Sequence, residues 1–323
     1  MRATVVFLAA ITSSQAASAD APADLKLTQK VQLLGGRLEA TLPAAMKLEA
    51  RGHSIMAAEA SGEDETRAVI DLGDARFVMM TYEYFALTGT DFKAAIAAEK
   101  KAQGEPTAPI KLEPLAVAKP LMAIADILPA TKGDAEANLI YAAWIGNSDA
   151  TVQLLAFYVN PDGAKAAAGW TQLARNIALT LKPGKRTLDT KAAAHKLGAG
   201  KEAMTITTPD GWAASTQPGP DFTVYHLRKL ATLGAPAAGC GIYVGDHSSY
   251  QYTQQDIDKA KVKATPGKLF KAAVTWQTWT ASGRSTTEAM AKHPAGSATV
   301  HAFCSAGTEA ELADLRKMIE TIQ

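Results

Sequence analysis

Ala298-Thr299-Val300-His301-Ala302-Phe303-Cys304, then Thr308-Glu309-Ala310-Glu311-Leu312, then Leu315 and Ile319, reads as a strand running into a capped helix. Val300, Ala302 and Cys304 alternate with polar or bulkier neighbours, the period of a half-buried strand. Thr308 and Glu311 form the Thr-x-x-Glu capping box that satisfies free amides at a helix start. Leu312, Leu315 and Ile319 then fall at helical spacing on one face. The same order of features occurs earlier. Ala150-Thr151-Val152 opens a strand, and Trp170, Leu173 and Ile177 mark the stripe of the helix after it. The helix positions recur at an offset of 142 residues and the strand positions at 148, so the connecting loop is six residues shorter in the second copy. Leu38-Glu39-Ala40-Thr41-Leu42-Pro43 and Met204-Thr205-Ile206-Thr207-Thr208-Pro209 are matching starts.

This repeat predicts an α+β fold of two similar units, each an antiparallel sheet with a C-terminal helix packed on one face. The first unit spans 20–184 and the second 201–323. Lys182-Pro183-Gly184-Lys185 stops the first closing helix, and 185–200 forms a linker that is Ala- and Lys-rich enough at 188–197 for a short helix. In the first unit, strands are expected near 37–42, 46–51, 54–59, 68–72, 75–84, 110–117, 120–127, 137–145 and 150–159, with helices at 91–102 and 163–182. In the second, strands are expected near 203–208, 222–228, 238–245, 269–280 and 297–304, with helices near 254–264 and 309–322. The first unit is the longer between its matching landmarks, which places an insertion around 104–118.

The second unit's strand, its turn Pro209-Asp210-Gly211-Trp212 and its run Phe222-Thr223-Val224-Tyr225, followed by sheet and terminal helix, resemble the Mog1/PsbP-like α-β-α sandwich. The first unit resembles it more faintly. The resemblance implies an accessory or binding protein rather than an enzyme, with Trp212 a core or turn residue.

Residues 1–19 have the form of an export signal. Arg2 is basic, Ala3 to Ile11 is a short apolar run, and Ala17-Ser18-Ala19 supplies the small-x-small exit. Cleavage after Ala19 leaves 304 residues, with a periplasmic or secreted location, no membrane insertion and no cysteine for a lipid anchor. Without Arg2 the basic and acidic residues balance at 32 each, which gives no reason to expect nucleic acid. Residues 20–184 carry a net charge of −4 and residues 185–323 a net charge of +4.

Cys240 and Cys304 are the only cysteines. Alternation puts Cys240 with Ile242 and Val244, and Cys304 with Val300 and Ala302, so both thiols meet an apolar face and a disulfide is expected in an oxidising compartment.

Catalytic motifs are hard to find. The six histidines show no metal-ligand spacing, so neither metal nor cofactor is expected. There is no Gly-x-Ser-x-Gly and no Ser-x-x-Lys. Asp246-His247-Ser248-Ser249 reads as a turn, His301 as an ordinary strand residue under or beside the last helix, and Glu63-Asp64-Glu65 as a solvated loop. Gly239-x-Gly241 sits inside a strand, not at a strand-to-helix turn, and is not a nucleotide loop. Two features remain as binding candidates. Lys259, Lys261, Lys263, Lys268 and Lys271 form a basic run that would suit an anionic partner or ligand, although a solvated helix end and loop is the more common use of such a run. Trp276 and Trp279 alternate onto opposite faces, so at most one is core, and an exposed Trp279 beside Tyr250 and Tyr252 would offer a stacking surface. The reading is an exported, non-enzymatic binding or accessory protein whose partner is a protein or envelope component. An immunity-type inhibitor and an envelope hydrolase with an unfamiliar site are the alternatives.

Overall fold

A computed structural model describes residues 25–56, 62–73, 75–102, 111–126, 137–147, 150–159, 167–235, 237–255 and 257–323. The export-signal region and the 104–110 part of the expected insertion lie outside these residues. The first half contains β1 (Leu27–Leu33), β2 (Leu38–Pro43), β3 (Lys47–Met56), β4 (Gly62–Leu72), β5 (Ala75–Glu83), β6 (Ala86–Leu87) and α1 (Phe92–Ala102). It continues through β7 (Leu112–Leu115), β8 (Met122–Asp126), β9 (Ala137–Gly146), β10 (Thr151–Val159), α2 (Ala167–Leu179) and β11 (Lys182–Pro183). The second half contains β12 (Ala193–Leu197), β13 (Met204–Thr208), β14 (Trp212–Pro218), β15 (Phe222–Lys229), β16 (Ala231–Thr232), β17 (Ala238–Gly245) and α3 (Gln251–Gln254). It ends with β18 (Lys263–Leu269), β19 (Ala272–Ala281), β20 (Arg284–Lys292), β21 (Thr299–Ala306) and α4 (Glu309–Ile319).

Fourteen strands form one antiparallel sheet made of two runs of seven. Outward from the middle, the first run is β3-β4-β5-β10-β9-β8-β7 and the second is β14-β15-β17-β21-β20-β19-β18. They meet where β3 pairs with β14, Ile55 opposite Ser215. A parallel pairing of β6 with β16 and a small core of Phe85, Ala150, Leu188, Ala213 and Leu230 tie the halves together beside that seam. The Arg228 guanidinium lies 4.3 Å above the Phe85 ring, a cation–π contact across the halves.

Period-two burial explains the sheet. In β5, Phe77, Met79, Thr81 and Glu83 are buried while their neighbours are half-exposed. Helix α2 presses Trp170, Leu173, Ala174 and Ile177 onto the first run, where Trp170 stacks on Phe77 at 5.1 Å. Helix α4 presses Leu312, Leu315 and Ile319 onto the second, and its Thr308 cap accepts the Glu311 amide at 3.2 Å, as the capping box requires. Each of the leucines and isoleucines here is worth roughly 1.5–3 kcal/mol when fully buried. On the opposite face, α1 buries Phe92 and Ile96 against Ile124, Trp144 and Leu233, and Lys100 pairs with Asp126 in a buried salt bridge.

The disulfide is present. Cys240 and Cys304 are directly opposed residues of β17 and β21, their Cα atoms 4.0 Å apart, on the face under α4.

Several local expectations are corrected. The helix near 254–264 is replaced by the one-turn α3, a 3-10 turn at Lys259–Lys261 and the edge strand β18. Helical composition is overridden there because Lys263–Leu269 completes the ladder of β19. Residues 193–197, expected as helix or linker, form β12 against β13. The strands expected at 46–51 and 54–59 are one strand, β3, with a register shift between Arg51 and Ser54. Glu63-Asp64-Glu65 lies in β4, not in a loop, and Asp64 is buried. Trp212 is a core residue as expected, at the start of a strand, β14, that was not read, and β20 is a further strand absent from the sequence reading.

Candidate functional site

The face of the second run opposite α4 is crossed by a strap of residues 246–255 and 257–262, and most of the chemistry-bearing side chains gather beneath it. Strand register sorts the faces. Val300, Ala302 and Cys304 point to α4, so His301 and Phe303 point away. Glu288 in β20 is opposite Phe303 and shares this second face. His301 is therefore not beside the last helix but on the other side of the sheet from it.

Glu288 is fully buried, and three donors converge on its carboxylate. The His301 Nε2 donates to Oε2 at 2.7 Å, the Gln251 amide to Oε2 at 2.9 Å and the Tyr252 amide to Oε1 at 3.2 Å. A carboxylate can stay buried when its lone pairs are met this way. On its other side, His301 Nδ1 lies 2.8 Å from Ser248 Oγ. His301 is 4% exposed, with Tyr250 edge-on to its ring at 6.1 Å and Phe303 tilted against it at 5.4 Å. Phe303 needs the space above Gly241: a Cβ there would lie 2.1 Å from its ring, which accounts for a glycine inside β17. Burial, helped by the nearby Glu288 and Tyr252, raises the Tyr250 phenol above its ordinary pKa.

Of the sequence candidates, Tyr250, Tyr252 and Trp279 do come together. Tyr250 and Tyr252 are 5.5 Å apart, and Tyr252 meets Trp279 edge-on at 5.9 Å. The expected exposure of Trp279 is overturned: Trp276 is buried under α4 and Trp279 is 2% exposed on the other face beneath Tyr252. The sheet is covered on both faces here, so alternation did not separate core from solvent. The lysines do not join this cluster. Lys259 and Lys261 sit in the 3-10 turn, Lys263 and Lys268 point to opposite faces of β18, and Lys271 occupies a left-handed turn position with φ of 64°. With Pro266 they line the outer edge of the sheet, where charge and proline block further strand pairing. Glu288 was missed by sequence reasoning. Its signal is an acid at an inward position of the strand Thr286-Thr287-Glu288-Ala289-Met290.

The strap begins at the wall of a groove of about 460 Å³ at one end of the second run. Glu202, Asp221 and Asp246 border it, and Phe222 and Tyr225 supply aromatic walls. Phe222 stacks on Tyr243 at 5.3 Å, and burial raises the Tyr225 phenol pKa, opposed by hydrogen bonds to Gly198 and Thr223. His247 Nε2 lies 3.6 Å from Asp221, and Lys292 at the rim donates to the Ser297 carbonyl at 3.0 Å. Among the described residues, no group of three or more His, Cys, Asp or Glu side chains is placed to hold a metal ion, and no helix is long and apolar enough to cross a membrane.

No protein-family model, curated protein or solved structure matches this chain.

Proposed function

We propose that this is an exported binding or accessory protein of the bacterial periplasm, and that the acidic groove of its second half receives a lysine or arginine side chain of a partner protein. The observation that carries the reading is the groove itself: three carboxylates, Glu202, Asp221 and Asp246, around a concave site with Phe222 and Tyr225 in its walls. Carboxylates attract an ammonium or guanidinium group, and aromatic faces favour it further. The three acids are solvent-exposed, so each pair contributes at most about 1 kcal/mol and binding is weak and salt-dependent. The Cys240–Cys304 disulfide supports an oxidising compartment, in keeping with the export-signal character of residues 1–19.

The halves are, in this reading, two copies of one unit of Mog1/PsbP-like type. Both list seven strands in corresponding order from the seam, and each is followed by a helix on its sheet, α2 or α4. Function is then expected where the copies differ, and groove, disulfide and strap cluster all belong to the second.

Calorimetric titration of the mature protein with a hexalysine peptide tests the groove. Binding should weaken at least tenfold in the Asp221→Asn/Asp246→Asn double variant and fall as salt rises. Absence of binding by the unaltered protein at low salt, or equal binding by the double variant, would reject it.

A further inference from the structure

We infer that Ser248, His301 and Glu288 form a nucleophilic relay that transfers acyl groups from small esters to Ser248 and on to water. This goes beyond the groove reading and does not depend on it.

The relay follows from hydrogen-bond accounting. The Glu288 carboxylate takes the Gln251 and Tyr252 amides as donors, so it serves as acceptor toward His301 as well, and the His301 nitrogen facing it, Nε2, carries the proton. In the neutral ring Nδ1 is then the unprotonated nitrogen, and it is the one facing Ser248 Oγ at 2.8 Å. The acid thus fixes the tautomer that makes His301 a base toward the serine hydroxyl, the division of roles that activates a serine nucleophile. Burial is graded in the same order. Glu288 is fully buried, His301 is 4% exposed, and Ser248 is half-buried in the strap, where a substrate can reach it. Two strap amides hold the Glu288 carboxylate in place, and Tyr250 and Phe303 shield the imidazole from water. The described positions of the first half that correspond to His301 and Glu288 carry neither residue. Gln153 lies opposite Tyr82 as His301 lies opposite Tyr243, and Ala142 lies opposite Leu155 as Glu288 lies opposite Phe303.

The chemistry balances without a further reactant than ester and water. Ser248 Oγ adds to the ester carbonyl carbon while its proton passes to His301 Nδ1. The carbonyl–alkoxy bond breaks, and the alkoxide leaves as the alcohol with that proton. Water then adds to the Ser248 ester, giving a proton to Nδ1, and the carboxylic acid departs as Oγ regains the proton. Glu288 steadies the transient imidazolium through Nε2 and stays ionised throughout.

The competing account is that these bonds only hold the strap down, and covalent labelling separates the two. The full mature chain is treated with a fluorophosphonate probe, and the modified peptide is identified by mass spectrometry, with p-nitrophenyl acetate turnover measured in parallel. Ser248 should be labelled about 100-fold faster than Ser249, its neighbour without a histidine base. Ser248→Ala should abolish both labelling and turnover, whereas Ser249→Ala keeps both. Because Ser248 is at the surface, its variant is expected to fold, which circular dichroism checks. The inference is overturned if Ser248 is labelled no faster than Ser249, or if Ser248→Ala turns over ester at the unaltered rate.

Discussion

Trp279 packs edge-on beneath Tyr252, ring centroids 5.9 Å apart, and is 2% exposed although it lies on the sheet face opposite α4. The strap therefore acts as a second cover on this sheet, and Trp279 belongs to the core it closes. Trp279→Ala should lower unfolding free energy by about 3–5 kcal/mol, the usual cost of emptying a large aromatic site. Urea denaturation measures it, and a loss under about 1 kcal/mol would mean that the strap does not seal this face.

The Cys240–Cys304 bond closes a 64-residue separation between two paired strands. Constraining the unfolded chain over that loop contributes about 4 kcal/mol. The Cys240→Ala/Cys304→Ala double variant should unfold at correspondingly lower urea, with reduced native protein shifting the same way. An unchanged midpoint for both would show that the ladder between β17 and β21 holds without the bond.

Strands with one apolar and one wetter face were legible in β2 and β5, whereas β1, with the same alternation at Val31 and Leu33, was not read. The capping box of α4 and the cysteine pair were legible for the same reason, because each depends on local spacing. Legibility failed where tertiary contact overrides local preference. The 254–264 stretch looks helical, but its end from Lys263 is drawn into β18 by the ladder of β19. The small polar residues of Arg284–Lys292 carry little strand signal, yet they form an internal strand between β19 and β21. The candidate cluster was half-visible: Tyr250, Tyr252 and Trp279 were noted together, but Ser248, Glu288 and His301 meet only through cross-strand register and the return of the strap. Separations of 53 residues from Ser248 to His301 and 13 from Glu288 to His301 give no motif to search for.

Removing Glu288 should free the strap. Glu288→Ala leaves His301 Nε2 and the Gln251 and Tyr252 amides without their acceptor, and loss of one partner from such a buried set costs about 3–5 kcal/mol. Amide hydrogen exchange should rise at Gln251 and Tyr252 first, with little change in β10 or α2 of the other half. Uniform exchange across both halves would show instead that the fourteen-stranded sheet opens as one unit.

At the alkaline end, stability should respond to Tyr141. Burial pushes its phenol up to about 12, the nearby Arg175 opposing and Glu113 adding to the shift. An unfolded tyrosine ionises near 10. Below pH 10 the phenol is neutral in both states, so its burial is undisturbed. Between about 10 and 12 the unfolded chain loses the proton while the folded chain keeps it, which favours unfolding. The loss is of order 2 kcal/mol by pH 12, since each pH unit of difference corresponds to about 1.4 kcal/mol. Tyr225, raised in the same direction by burial, adds to it. Unfolding free energy measured across this window should fall in the unaltered protein and fall less steeply in Tyr141→Phe. That variant removes a hydroxyl with no hydrogen-bond partner among the described residues, so it should also fold without penalty at neutral pH. Equal slopes for the two proteins would show that Tyr141 ionises as an ordinary, solvated phenol.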